Sequence, residues 1–513
     1  MPRVLLVALL ACVASACSSS VDDGPSGRDA GAGGADVATA TTAADASLDA
    51  ALDAAPSEDA QLPADGASAV DAAPSPDAGP ASDAAVGPDS GLSSDAGADS
   101  GVLPISCGAV RCYYVRQGAS GDGSDWTTAY AALPASLERG ATSFVAGGAY
   151  PGHVFDDPEQ GTTDVRVQKA TLSDHGTDVG WDARYGADQA TFNGQLRFTR
   201  SHYVIDGATG GGPGSWLSGF GFRIHETRAQ ALIDVASNAA DSVTVRHVEL
   251  AGSSNSSGGG SIAQDAVAVR GGFGFTLSYF YTHAIGRAPF FLVPAPSSVI
   301  ELGYIGDFVS TNAAHAEVVS AWSWRETGDF TFRYNVITAI AGTGGIMWDN
   351  SGSHASLARI YGNVFYQAPG ALWDNNANGL IGGWTGGGGE DCFGLRVYNN
   401  SFVNTTGRIF TNFITRSGDN EVVNNLFYNS DPPRYDDIQT HDYNLYIDTA
   451  GAPSEANGAT ASGDPFIDLA ALDFSLRAAT PPGRSLGSPY TTDAIGTLRG
   501  ADGNWDRGAY ERR

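Results

Sequence analysis

The sequence predicts an all-β chain in which a parallel solenoid follows a disordered N-terminal tether. Three observations carry this. From Tyr113 onward, short β-rich runs are separated by Gly, Asn and Asp, with no long amphipathic helix between them. Within that region one strand-like run returns repeatedly, most copies closing on Asn. Ahead of it, residues 18–103 contain no aromatic residue and are almost wholly Ala, Asp, Ser, Gly, Pro, Thr and Val. Such a composition cannot bury enough apolar surface to fold.

The chain opens with Arg3, the apolar run Val4 to Val13, and the small residues Ala14, Ser15 and Ala16 before Cys17. This is the pattern of a secretory signal, too short to span a membrane. Small residues running into a cysteine resemble a bacterial lipobox, although Ala14 stands where Leu is usual; Leu9-Leu10-Ala11-Cys12 also fits, with a shorter apolar run. The resemblance implies a signal over residues 1–17, lipidation of Cys17, and, from Ser18 after it, sorting to the outer membrane or cell surface. Plain secretion is the alternative.

Residues 18–103 form the expected linker. Asp recurs there at 53, 59, 65, 71, 77, 83, 89 and 95. A period of six is neither helical nor strand-like, and the repelling charges extend a flexible tether. A calcium-binding repeat would need a Gly-rich nonapeptide spacing, which is absent. The chain as a whole carries 28 basic against 57 acidic residues, and Lys169 is its one lysine. That balance disfavours nucleic acid, whose phosphates need clustered cations. Cys107 and Cys112, five apart, are expected to close a small disulfide loop in an exported protein. Cys392 reads as a buried thiol.

The folded domain is expected over 104–513. A helix over Ala129–Glu138 would cap its start. The repeated strand comprises Val243-Thr-Val-Arg-His247, Phe275-Thr-Leu-Ser-Tyr279, Phe330-Thr-Phe-Arg-Tyr-Asn335, Ala358-Arg-Ile-Tyr-Gly-Asn363, Leu395-Arg-Val-Tyr-Asn-Asn400 and Glu421-Val-Val-Asn-Asn425. Trp348-Asp349-Asn350 returns 25 residues later as Trp373-Asp374-Asn375. Such periods, with strands only, indicate stacked coils that share one core. Asn at a corner tolerates left-handed geometry and can bond its own copy above and below. A β-sandwich would need hairpin signals every 8–12 residues; Asn-Gly pairs are few, as at the loop-like Asn193-Gly194 and Asn457-Gly458.

The segment over residues 113–150, ending Val145-Ala-Gly-Gly-Ala-Tyr150, resembles the opening of secreted right-handed parallel β-helix proteins of the pectate-lyase-like superfamily. Gly463-Asp-Pro-Phe-Ile-Asp468, Asp473-Phe-Ser-Leu476, Gly487-Ser-Pro489 and Asp506-Arg-Gly-Ala-Tyr-Glu511 resemble its closing pattern. The resemblance covers residues 113–511. It implies a right-handed parallel β-helix, and it is weak for chemistry because that fold hosts lyases, hydrolases, epimerases and binding proteins.

The richest stretch for chemistry is His315-Ala-Glu317-Val-Val-Ser-Ala-Trp322-Ser-Trp324. In a strand, His315 and Glu317 share a face, as base and orienter or as metal ligands. Asp349 and Asp374 are expected on adjacent rungs about 4.8 Å apart. Ionised carboxylates that close need a cation, a shared proton or an Arg, so Glu317, Asp349 and Asp374 form a candidate calcium site or catalytic acid cluster; alternatively each Asp caps its own turn. Trp322, Trp324, Trp348, Trp373 and Trp384 are either a sugar platform or core. Arg325, with Arg270, Arg287, Arg408 and Lys169, supplies cationic options for a lyase. The function these features suggest is a monomeric, surface-tethered protein acting on polysaccharide, with β-elimination on a uronate glycan implied by the resemblance alone. Its alternatives are hydrolysis of a neutral glycan and binding without catalysis. A domain at −15 opposes the first, since it repels polyuronates unless local cations intervene.

Overall fold

A computed structural model describes residues 107–108, 110–226, 231–236, 240–252, 264–306, 317–322, 324, 327–341, 344–351, 354–374, 379–383, 391–410, 416–436 and 438–513. All fall within the unit Ser90–Arg513. Cys17, His315, Arg325 and Trp384 lie outside the described residues.

The described chain is a right-handed parallel β-helix, the sense that crossovers between parallel strands take. Three sheets run along the coil. Sheet A stacks Cys112–Val115, Thr142–Val145, Val165–Lys169 and Tyr203–Asp206. It continues through the first halves of Val243–Ala251 and Thr276–His283, then Val299–Glu301, Phe330–Arg333, Ala358–Tyr361, Leu395–Tyr398, Glu421–Val423 and Thr440–Asp442. The rungs between Val243 and Val423 include every repeated strand of the sequence, with Val299–Glu301 as a further rung among them that the repeat did not reveal. Sheet B runs from Gly148–Phe155 through Val336–Ile337 to Ala459–Ala461. Sheet C runs from the second halves of Gly148–Phe155 and Ala190–Phe198 to Ile381–Gly382.

Alternation along each strand sends apolar side chains inward. Phe365, Phe402, Phe427 and Tyr446 stack at 5.0, 4.8 and 5.3 Å between successive centroids. Each such pair adds about 0.5–1.5 kcal/mol beyond area burial.

The corner from sheet A to sheet B is tight, and two neighbouring positions divide its work. The first takes the left-handed conformation, at Tyr334 (φ 59°), Asn399 (51°) and Asn424 (61°), with Gly362 (65°) between. The second is the ladder itself: Asn335, Asn363, Asn400, Asn425 and Asn444, all fully buried. Each amide donates to the carbonyl oxygen of the next, at 3.1, 3.0, 3.1 and 3.1 Å. The same amides also donate to backbone carbonyls such as Phe332 O and Ile360 O, both at 2.8 Å.

The segment Ala129–Glu138 is not helical. Tyr130 bridges Val115 as extended chain, Pro134 cannot supply a helical N–H, and Leu137 N donates to Asp157 Oδ1 at 2.6 Å. The start of the coil is closed instead by Tyr114, Trp126 and Phe144 with Trp181 and Tyr185. The Cys107–Cys112 disulfide is formed, and Cys392 is buried in the core. The closing motif acts as a clasp. Asp506 Oδ1 accepts from Thr480 N at 2.6 Å and from Asn504 Nδ2 at 2.8 Å. Arg507 donates to Asn444 O at 3.0 Å, which fastens the tail to the ladder.

Candidate functional site

The residues of sheet C opposite its core side form one row: Arg197, Asp234, Ala268, Phe291, Ser320, Met347 and Gly382, of which Arg197 and Phe291 reach solvent and the rest are buried. Inward residues such as Leu196, Ile233, Val267, Phe290 and Val319 anchor the strands in the core, so the register of the outer row is fixed by packing.

Charged side chains order around Phe291. Arg270 Nη1 donates to Asp234 Oδ1 at 2.8 Å, and Arg197 lies 3.5 Å from the same carboxylate. Arg287 Nε forms an ion pair with Asp265 Oδ1 at 3.1 Å, and that oxygen accepts a hydrogen bond from Ala288 N at 3.3 Å. Both guanidiniums stand over the Phe291 ring, 5.8 Å away for Arg270 and 4.4 Å for Arg287. Trp322 packs edge-on to Phe291, with centroids 6.5 Å apart.

The arrangement is asymmetric in depth. Side-chain exposure is 50% for Arg197, 38% for Arg270 and 25% for Arg287, against 10% for Asp234 and 1% for Asp265. The cations face solvent and their counter-charges lie beneath. Burial pushes Asp265 up to about 7, although Arg287 and Arg270 pull it down and Glu317 adds to the rise. Burial also raises Asp234 above the usual carboxylate range, against the pull of Arg270 and Arg197. The chemistry on offer is therefore guanidinium recognition of an anion beside aromatic surface.

The sequence-derived site residues fall in different places. Trp322 is exposed and belongs to this face. Glu317 is fully buried two residues before the strand Val319–Ala321, instead of standing on an exposed strand face with His315. Trp324 and Trp348 are core, not platform. Both are fully buried, their rings are 5.0 Å apart, and their indole N–H groups donate to Gly328 O and Phe393 O, each at 2.8 Å.

The expected Trp348–Trp373 rung does not exist. Trp373 bridges Ile340, and Asp374 N donates to Ile340 O at 3.0 Å. Met347 pairs instead with Gly382. The 25-residue spacing is a coincidence of loop length, so Asp349 and Asp374 are not neighbours. Asp349 caps its own turn, its Oδ1 accepting from Ser351 N at 3.0 Å and from Asp391 N at 3.1 Å. Glu317, Asp349 and Asp374 thus sit at the head of one sheet C strand, past the end of the next, and on a sheet B-to-C connection. Among the described residues no group of three or more His, Cys, Asp or Glu converges to hold a metal. These carboxylates do not fit a calcium ion as a set.

Sequence reasoning named Arg270 and Arg287 only as generic cations and missed Arg197, Asp234 and Asp265. The alternation Leu-Arg-Phe at 196–198 and Ile-Asp-Val at 233–235 marks the two outward positions. Nothing in the sequence pairs them.

No protein-family model matches this chain, and no curated protein matches it. Among solved structures it is similar to pectate lyase Pel9A, at 12% identity and a TM-score of 0.45, over 78% of this chain and 96% of that one. The β-helix architecture stands on the strand registers given above.

Proposed function

We propose that this protein engages a carboxylate-bearing polysaccharide along the sheet C face and cleaves it by β-elimination. One observation supports the reading most. Three guanidiniums face outward while the carboxylates that hold them lie deeper. This supplies the local cations that an acidic domain needs before a polyanion can approach. A planar guanidinium also matches a carboxylate in two-pronged geometry.

On this reading Arg287 and Arg270 neutralise a uronate carboxylate, which makes the carbon-bound proton next to it more acidic. Phe291 and Trp322 offer apolar surface to the sugar ring. A base must still take that proton. The sequence offers His315, two residues before Glu317, and Arg325, three after Trp322. Hydrolysis is disfavoured because it needs two carboxyl groups facing one bond. Asp265 and Glu317 are buried, and Asp349 is spent on its turn.

The test incubates the full-length protein with uronate and neutral polysaccharides, with calcium or with chelator. Unsaturated-product absorbance and reducing ends are followed together. Absorbance on a uronate polymer is the expected outcome. Reducing ends without absorbance mean a hydrolase and sink the elimination. Silence in both, with polymer still retained on an affinity gel, means binding without catalysis.

The N-terminal residues support an exported form held to a membrane by lipid on Cys17, with residues 18–103 as spacer. Lipid labelling of the wild type but not of Cys17→Ser is the expected result.

A further inference from the structure

A second cleft is built from the first rungs of sheet B and the connections around them. Its volume is about 540 Å³, within the range of small-molecule sites. It is lined by Thr171, Leu172, Ser173 and Asp188 from one connection and by Thr209, Leu217 and Ser218 from another. The floor is Lys169, Gln189, Phe220 and Glu249.

Both connections are fixed. Lys169 is 2% exposed, and its amine donates to Ala170 O at 2.6 Å and Tyr185 O at 3.1 Å. It pins the first connection from below, and its coulombic interaction with Asp188 places its amine near that carboxylate. The second connection belongs to a Gly-rich excursion, and its Trp216 is buried in a cluster with Val336 and Val364 of sheet B. Glu249 is held by His283 Nε2 at 3.0 Å, Gln189 Nε2 at 3.1 Å and Arg223 Nε at 3.4 Å.

The lining has a definite chemistry. Leu172 (65% exposed) and Leu217 (49%) are contributed by the two different connections. Four hydroxyls and the carboxylate of Asp188 surround them. The ligand that fits has apolar faces, hydroxyl edges and no negative charge. We propose that this cleft is a binding site for one or two units of a neutral saccharide, separate from the carboxylate-reading face of sheet C. Leu172 and Leu217 take the ring faces, and Asp188, Gln189 and the hydroxyls take the sugar hydroxyls.

Calorimetry of the full-length protein against neutral gluco-, xylo-, manno- and galacto-oligosaccharides tests this. At least one is expected to bind the wild type and Arg287→Ala equally. Asp188→Ala and Leu217→Ala, both exposed positions, are expected to weaken it about tenfold each with unchanged melting. Three results overturn the site: no neutral oligosaccharide binds, binding survives both cleft variants, or Arg287→Ala abolishes it. A uronate oligomer that binds here in place of a neutral one overturns the ligand class. None of these results depends on whether sheet C carries out elimination.

Discussion

The corner between sheets A and B and the outer face of sheet C both place polar side chains out of water, and they differ in what is left over. At the corner each Asn amide from Asn335 to Asn425 bonds the next Asn and a backbone carbonyl, Asn444 closes the run on Glu455 Oε1, and the column is fully buried. On sheet C the carboxylates of Asp234 and Asp265 are buried while their guanidinium partners remain partly in solvent. The corner is closed to ligands, while the guanidiniums and Trp322 of the face reach solvent. Polar burial that saturates itself builds architecture, and polar burial that leaves one partner exposed builds a recognition surface.

The sharpest way to break the comparison is at the corner. Asn400→Ala removes the acceptor for Asn363 N and Nδ2, both at 3.0 Å, and the donor to Ile360 O. Each stranded buried group costs about 1–3 kcal/mol. The variant should lose about 4 kcal/mol of stability, read from its denaturant midpoint. A loss under about 1 kcal/mol would mean that water replaces the ladder.

Arg287→Ala should do the reverse, with a much larger effect on function than on folding. Turnover or polysaccharide affinity should fall about a hundredfold. Arg287→Lys should not restore it, because an ammonium lacks the planar fork. Full activity in either variant would remove Arg287 from the site.

The third prediction concerns pH. Folding raises Asp265 to about 7, while the unfolded carboxyl titrates near about 3.9. Between those values the unfolded chain gives up its proton first. The contribution of Asp265 is therefore fully present below about pH 4 and is lost as pH rises toward 7. Melting temperatures of wild type and Asp265→Asn across pH 4–8 should diverge, with the variant flatter. Parallel curves would mean that Arg287 keeps Asp265 ionised throughout.

The smallest effect is expected at Trp322, which is 43% exposed. Trp322→Ala should weaken polysaccharide binding about tenfold with unchanged melting. Trp348→Ala, in the core, should instead destabilise by about 3–5 kcal/mol. If the two variants behave alike, the division of the tryptophans into surface and core is wrong.

The corner was legible in the sequence and the face was not. Asn335, Asn363, Asn400 and Asn425 recur because each turn of the coil must present the same side chain at the same place to extend the ladder. Arg197, Asp234, Arg270, Arg287 and Asp265 come from successive turns joined by connections of unequal length. No spacing relates them, and outward positions are free to vary. The same irregularity misled the reading of Trp348 and Trp373, whose equal motifs lie on different sheets' registers. Trp324 and Trp348 suited either platform or core from sequence, core being the commoner fate of a large aromatic at a repeat position.

The sequence by itself determined the solenoid, its corner column and the clasp formed by Asp506 to Glu511. Each of these is a local pattern, repeated or contiguous, whose physical requirement falls on the same chain positions every time. Only the tertiary structure decided which charges meet, which carboxylates are buried and which indoles see water. Those follow from strand register along the coil, set by inward packing of residues such as Val267, Phe290 and Val319, and that packing leaves no mark on the outward residues it brings together.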